Sequence, residues 1–414
     1  MQAVGIIAEY NPFHNGHKWH LENAKKISGC RFSISLISGN FVQRGEPAII
    51  DKWKRAEMAV LSGVDLVIEL PVTFAVRSAQ YFASGGIRLL QSLGVVSHVC
   101  FGAEHSDLPM LRKIASAADD LAVIENMKQQ LKLGHTYAAA LSHALSTVHA
   151  IPPEILNEPN NILAIEYLRA ISKYAPQIIP ITIRRQQAHY HDTTISGTLA
   201  SATAIRLALQ THLSLADEIS QALPDTSTGI IAEMLETKRG PAVFDRLSTP
   251  VLAKLRTAKL EELEQLPDVT EGLHHKMLDS AIQATSISDL LYLLKSRRYT
   301  GTRLQRILTH LLIGTTKQEL AGFDQSGPLY ARVLAFNQRG RQILKRINTN
   351  ATVPIISKTA KFLKSEQRNS YCASPLQRML ARDTFATDIY VLSLPSLRWQ
   401  AGGWDFRHSP IYVP

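Results

Sequence analysis

The sequence predicts an α/β protein: a parallel sheet with crossover helices, followed by a mainly helical, basic C-terminal region. Three observations carry this. Short apolar runs at 3–8, 32–38, 64–70, 95–101 and 178–184 alternate with helical stretches, the pattern of strands joined by crossover helices. After Arg206 the strand pattern fades, and 211–325 shows amphipathic runs around Glu261, Leu278 and Leu308, which is helical periodicity. The formal charge is unevenly divided, +3 over 1–210, −6 over 211–289 and +13 over 290–414. A boundary near 210 therefore separates a sheet-bearing unit, 1–210, from a helical or mixed unit, 211–414, in which β-like runs return at 329–336 and 353–357.

The first run, Ala3–Ala8, leads through the turn signal Asn11-Pro12 into His14-Asn15-Gly16-His17 and a helical stretch that reaches Lys26. The tetrad thus sits on a helix N-terminus, where unpaired backbone N–H groups and a partial positive charge attract anions. Histidines three apart lie on one side of the first turn, and a glycine between them admits close approach by a phosphate. The same residues fit two plainer roles, helix capping and half of a metal site, although no nearby carboxylate or cysteine completes a ligand set.

Ligands of such sheets bind beyond the carboxyl ends of the strands. Five segments converge there: Asn11–Lys18, Gly39–Glu46, Pro71–Thr73, Gly102–Glu104, and Arg185 onward. A second helix start, Ser201-Ala202-Thr203-Ala204-Ile205-Arg206, is preceded by Gly197 and offers two hydroxyls and a guanidinium. By itself Ser201 is an ordinary N-cap. Paired with the tetrad it becomes a second clamp, so that one helix end serves the α-phosphate of a nucleoside triphosphate and the other the departing pyrophosphate.

Composition sets the class. At 414 residues with 45% hydrophobic content the chain is long enough for two or three cores. Cys30, Cys100 and Cys372 are odd in number and far apart, as expected of unpaired thiols in a reducing cytoplasm. Met1-Gln2-Ala3 carries no basic leader, and no apolar stretch reaches membrane-spanning length. The C-terminal surplus attracts polyanions, nucleic acid foremost. Lys295, Arg297, Arg298, Arg303 and Arg306 cluster without an acid in sequence, with Tyr292 and Tyr299 interleaved, and Lys358, Lys361, Lys364, Arg368, Arg378 and Arg382 follow.

The tetrad and Ser201–Arg206 resemble the signatures of the His-x-Gly-His nucleotidyltransferase superfamily. The runs Gly5–Lys18, Ser38–Pro47, Pro159–Leu163, Tyr190-His191-Asp192 and Arg298-Tyr299-Thr300 are similar to the tRNA(Met) cytidine acetate ligase family over nearly the whole chain. The resemblance implies a Rossmann-like, HUP-type catalytic domain that activates acetate with ATP as acetyl-adenylate. The acetyl group then passes to the wobble cytidine of elongator tRNA(Met), giving N4-acetylcytidine. It implies His14 and His17 as catalytic. It places ATP contacts on Ile7, Ala8, Glu9, Tyr10, Asn11, Pro12, Phe13, His14, Asn15, Gly16, His17, Lys18, Trp19 and His20, and on Gly102, Asn161 and Arg185. Ser201, Thr203 and Arg206 would hold phosphate, and Arg297, Arg298, Arg303 and Arg306 tRNA. Magnesium is expected with the ATP phosphates, with no metal ligand assigned in the chain, no tightly bound cofactor, no membrane and no obligate protein partner. Ala202 departs from the wider superfamily, many members of which carry serine there. Asn40 and Gln43 lie beside the expected acetate, or only shape their turn, and Glu9, Glu46 and Glu104 are the nearest acids. Two other readings remain: a nucleotidyltransferase acting on a phosphorylated metabolite, and a non-catalytic RNA-binding protein.

Overall fold

The computed structural model describes residues 2–185, 200–212, 215–370 and 373–414. Tyr190-His191-Asp192, Gly197 and Cys372 lie outside the described residues.

Five strands, β1 (Ala3–Ala8), β2 (Phe32–Ser38), β3 (Leu66–Leu70), β4 (Val96–Ala103) and β5 (Ile179–Arg184), pair in parallel in the order β5-β4-β1-β2-β3. All of β3 and nearly all of β2 are buried, which is why they read as unbroken apolar runs rather than alternating ones. The chain proceeds from β1 outward through β2 to β3, then returns to lay β4 on the other side of β1. That reversal is a topological switch point, and it opens a crevice at the carboxyl ends of β1 and β4.

Helices cover both faces. One core holds Val4 and Ile6 with Leu21 and Ala24 of α1 (Asn15–Ser28) and Trp53 and Met58 of α2 (Lys52–Leu61). The other holds Ile34 and Leu36 with Phe82 and Ile87 of α3 (Ala79–Ser92) and Ile165 and Leu168 of α4 (Pro159–Tyr174). Residues 217–326 are helical and pack largely into the first core. Among the described residues no helix is long and apolar enough to cross a membrane.

The two late β-like runs become strands of the same sheet. β6 (Ala331–Phe336) lies antiparallel to β3, and β7 (Ile355–Ile356) and β8 (Ile411–Tyr412) pair with β6. A buried charge network fixes this junction. Lys52 Nζ lies 2.8 Å from both Glu69 on β3 and Asp405, and Arg332 on β6 contacts the same two carboxylates. Two cations and two anions cancel, which lets four charges sit in the interior.

A second buried cation fixes the sheet's working end. Arg55 of α2, without exposed surface, donates Nε to the Ile50 carbonyl at 2.9 Å and its two terminal nitrogens to the carbonyls of Glu9, Ser38 and Gly39. These carbonyls lie where β1 and β2 end and would otherwise be orphaned. Replacing Arg55 with Met leaves these buried carbonyls without their donor and is expected to cost at least about 1–3 kcal/mol, the penalty for one unsatisfied buried acceptor. Denaturant unfolding measures it, and a loss below about 1 kcal/mol would show that the carbonyls find other partners.

Candidate active site

Past β1 the backbone turns sharply. Tyr10 adopts a left-handed φ of 48°, and Asn11-Pro12 is cis. Tyr10 is held in that disfavoured region by full burial and by a 3.0 Å hydrogen bond between its hydroxyl and Ser35 on β2. Asn11 Oδ1 accepts the Ile49 N–H at 2.8 Å. The turn aims the next residues back across the crevice as the first turn of α1.

His14 is the N-cap of α1. Its Nδ1 accepts the Gly16 N–H at 3.1 Å, and His17 Nδ1 accepts the His14 N–H at 3.4 Å. Capping and cavity-lining positions therefore coexist on one pair of rings. With Nδ1 accepting, a neutral imidazole carries its proton on Nε2 and remains a donor there. The rings stack, centroids 3.8 Å apart. Burial, reinforced by Arg185 and Arg206, pushes His14 down to about 3. Burial also holds His17 well below its ordinary value, with His14 and Arg185 adding to it and the nearby Pro12 carbonyl opposing it. His20 falls to about 4 for the same first reason, and its Nε2 lies 3.6 Å from Cys100 Sγ. Gly16 has a structural cause as well: a Cβ there would lie 2.9 Å from the His14 ring.

The second helix start forms at Ser201. Ser201 Oγ accepts the Ala204 N–H at 3.0 Å at the start of α5 (Ala202–His212). Arg206 reaches from this helix to the Asn11 carbonyl at 3.0 Å and to Thr203 Oγ1 at 3.3 Å. One guanidinium thus ties the two helix starts together, and Glu46 lies 3.6 Å from it.

Between them is a cavity of about 320 Å³, the size of a small-molecule site. Of the expected ATP contacts, Ile7, Ala8, Glu9, Tyr10, Asn11, His14, Gly16, His17, Trp19, His20, Gly102 and Arg185 line it, as do Ser201, Thr203 and Arg206. Pro12, Phe13, Asn15, Lys18 and Asn161 do not. Phe13 packs under Tyr10 and His17, Asn15 donates to the Gln221 carbonyl, and Lys18 is exposed. Asn161 is neither an N-cap, a position held by Glu158, nor a cavity group. Its side chain accepts the His105 N–H and donates to the Ile155 carbonyl, and its neighbour Asn160 lines the cavity and holds Arg185 at 3.2 Å. A Cβ on Gly102 would press on the Arg185 stem at 3.3 Å. Asn40 shapes its turn, bonding Lys52 and Thr387, whereas Gln43 lines the cavity. Glu104 caps α4 through Asn160 and Asn161.

Arg44, Ala79, Phe82, Leu163 and Tyr167 line the cavity too. Phe82, Leu163 and Tyr167 have the spacing of ordinary core positions on α3 and α4, so periodicity could not single them out.

The Arg297–Arg306 cluster lacks acids only in sequence. Glu271 pairs with Arg298, which also donates to the Leu131 and Lys132 carbonyls, and Asp268 lies 3.9 Å from Arg306. Arg303 donates to the Asp268 carbonyl and covers the Tyr299 ring. Arg297 is exposed. A more open basic face, Arg339, Arg341, Lys345 and Arg346 on the helix Gln338–Asn350, is exposed and carries no acid.

The sequence matches the HIGH Nucleotidyl Transferase family over residues 1–402. It is 39% identical over 423 residues to a tRNA(Met) cytidine acetate ligase of Acetivibrio thermocellus, covering all of both chains. It is 43% identical over 401 residues to one of Caldanaerobacter subterraneus, covering 95% of this chain and 96% of that one. The chain belongs to the tRNA(Met) cytidine acetate ligase family. The fold agrees with that family's solved structures. Crystal structures of Thermotoga maritima TmcAL, apo and bound with alpha-thio ATP, superpose over 100% of both chains with TM-scores of 0.92 and 0.90 at 31% and 30% identity.

Because His14, His17 and His20 are neutral when folded but protonate below 6.5 when unfolded, stability is complete above that value and falls as pH drops toward 4. His14→Asn, which keeps a capping side chain, should flatten this fall by about one proton. Unfolding titrations from pH 7 to 5 read the slope, and an unchanged slope would mean that His14 is charged in the folded protein.

Proposed function

We propose that this chain uses ATP to activate acetate as acetyl-adenylate and transfers the acetyl group to the wobble cytidine of elongator tRNA(Met). The observation that carries the reading is the pair of neutral, stacked histidines facing Ser201–Arg206 across one cavity. An acetate oxygen attacks the α-phosphorus, pyrophosphate leaves, and charge on the α-phosphate oxygens grows. His14 and His17 meet that charge as fixed N–H donors, a role worth about 10²–10³ in rate per donor. Neutral donors suit the step because they attract oxyanions without repelling one another. Arg185 and Arg206 supply the fixed positive charge.

Magnesium would enter with the phosphates and help screen their charge. Glu9 is the only carboxylate among the described lining residues, and no three His, Cys, Asp or Glu side chains among the described residues are grouped to hold a cation. The residues do not fit a metal cage of the protein's own, so no step is assigned to one. The division of labour follows the chain: 1–210 carries the chemistry, and 211–414 offers basic surfaces to the tRNA backbone, including Arg297 and Gln338–Asn350, in the cytoplasm and without an obligate protein partner.

Acetate-dependent exchange of labelled pyrophosphate into ATP tests the reading. Exchange that ignores acetate would overturn it. His17→Ala should reduce exchange by at least about 10²-fold while tRNA affinity stays within threefold. Loss of both together would mean that the ring is needed for folding rather than chemistry.

A further inference from the structure

A cavity built around imidazoles and guanidiniums to hold a triphosphate has one feature that opposes its purpose. Glu9, at the carboxyl end of β1, places a carboxylate in the wall. Its Oε1 accepts the Gln43 N–H at 3.0 Å, and its Oε2 makes no hydrogen bond among the described residues. Repulsion of phosphate is a cost that a structural contact to one loop N–H does not require, since an amide would serve equally well.

The other lining groups are poorer proton acceptors. His14 and His17 already accept at Nδ1 and so present N–H groups. His20 is held at about 4 by burial. Arg44, Arg185 and Arg206 are permanently protonated. Gln43 donates its side-chain amide to the Arg77 carbonyl at 2.7 Å. The Tyr167 hydroxyl, on a side chain 2% exposed, has no hydrogen-bond partner among the described residues, and burial, with Glu9 adding to it, opposes its ionisation, so it remains a donor.

Acetyl transfer, by contrast, must dispose of a proton. The exocyclic nitrogen of cytosine is a weak nucleophile that becomes acidic only as its bond to carbon forms. Resting on the function proposed above, we propose that Glu9 is the catalytic base of the second step, its Oε2 taking a proton from the cytidine N4 amino group as that nitrogen attacks the acetyl carbonyl. The N–C bond forms, the bond from the carbonyl carbon to the AMP phosphate oxygen breaks, and AMP departs with that electron pair. The proton stays on Glu9 until solvent returns.

The surroundings suit the task. Burial raises the Glu9 carboxyl above its usual 4.5, with Glu46 adding to it and Arg206 and Arg44 opposing it. Arg55 sits behind Glu9 on its own carbonyl, and Tyr167 of α4 lines the same cavity within electrostatic reach. A carboxylate raised toward neutrality is a stronger base than an exposed one.

Full-length Glu9→Gln keeps an oxygen for the Gln43 N–H and removes the base. With acetate, ATP and unmodified elongator tRNA(Met), single-turnover acetyl transfer should fall by about 10²–10⁴, while acetate-dependent pyrophosphate exchange falls by far less. Wild-type transfer should rise with pH along an acidic limb centred above 4.5, and the limb should vanish in Glu9→Gln. Glu9→Asp should restore the limb at a reduced rate, which gives a readout even if the glutamine variant folds poorly. Transfer at the wild-type rate in Glu9→Gln, or equal loss of exchange and transfer, would overturn the assignment. Wild-type protein with no acetate-dependent exchange would instead overturn the function on which it rests.

Discussion

The buried guanidinium of Arg55 is the constraint on which the working end of this molecule depends. Parallel strands end by exposing carbonyls, and a site placed over those ends cannot let water satisfy them freely. Arg55 meets the carbonyls of Glu9, Ser38 and Gly39 from below, and its own helix is capped by Asp51, which accepts the Trp53 and Lys54 N–H groups and pairs with Arg239. The point at which β1 leaves the sheet is thereby fixed. The left-handed Tyr10, the turn at Asn11 and the placement of His14 over the crevice all follow from that point.

Placing imidazoles there trades stability for function in a defined way. Burial makes His14, His17 and His20 neutral, which costs folding free energy under acidic conditions but yields donors whose hydrogen positions are set by the caps they also serve. Gly16 belongs to this arrangement, since only the absence of a Cβ lets the His14 ring fold back over the first turn. The far end of the chain contributes as well. Thr309, on the helix Gly301–Ile313, donates to the Gly45 carbonyl at 2.5 Å, and Gly45, with a φ of 89°, backs onto the Arg306 backbone of the same helix. That loop carries the Gln43 N–H which holds Glu9. A packed path therefore joins the helical region to the cavity wall.

Much of this was legible in the sequence because local chemistry encodes it. The five parallel strands stood out as apolar runs, β1 and β2 with the boundaries of the structure, since a strand buried on both faces permits few polar residues. The tetrad and Ser201–Arg206 were legible because helix starts need capping side chains. What could not be read was long-range. Nothing near Arg332 announces that β6 will pair antiparallel with β3, because that pairing depends on Lys52, Glu69 and Asp405 meeting in space. The partners of Asn161 are long-range in the same way: its side chain is held by His105 and Ile155, while Asn160 lines the cavity. The acids facing Arg298 and Arg306 come from Glu271 and Asp268, more than twenty residues away in sequence.

Phosphate clamps alone would serve many nucleotidyl transfers. What distinguishes this site is a single carboxylate, and a tyrosine hydroxyl without a hydrogen-bond partner, among the described residues of a wall otherwise rich in imidazoles and guanidiniums, beside basic surfaces in the C-terminal half. The account is tested most directly by nucleoside mass spectrometry of elongator tRNA(Met), shown beforehand to be unmodified, after incubation with the protein, ATP and isotope-labelled acetate. The account predicts N4-acetylcytidine carrying the label at one position and none when ATP or acetate is omitted. Unlabelled, unacetylated cytidine in the complete reaction would contradict it.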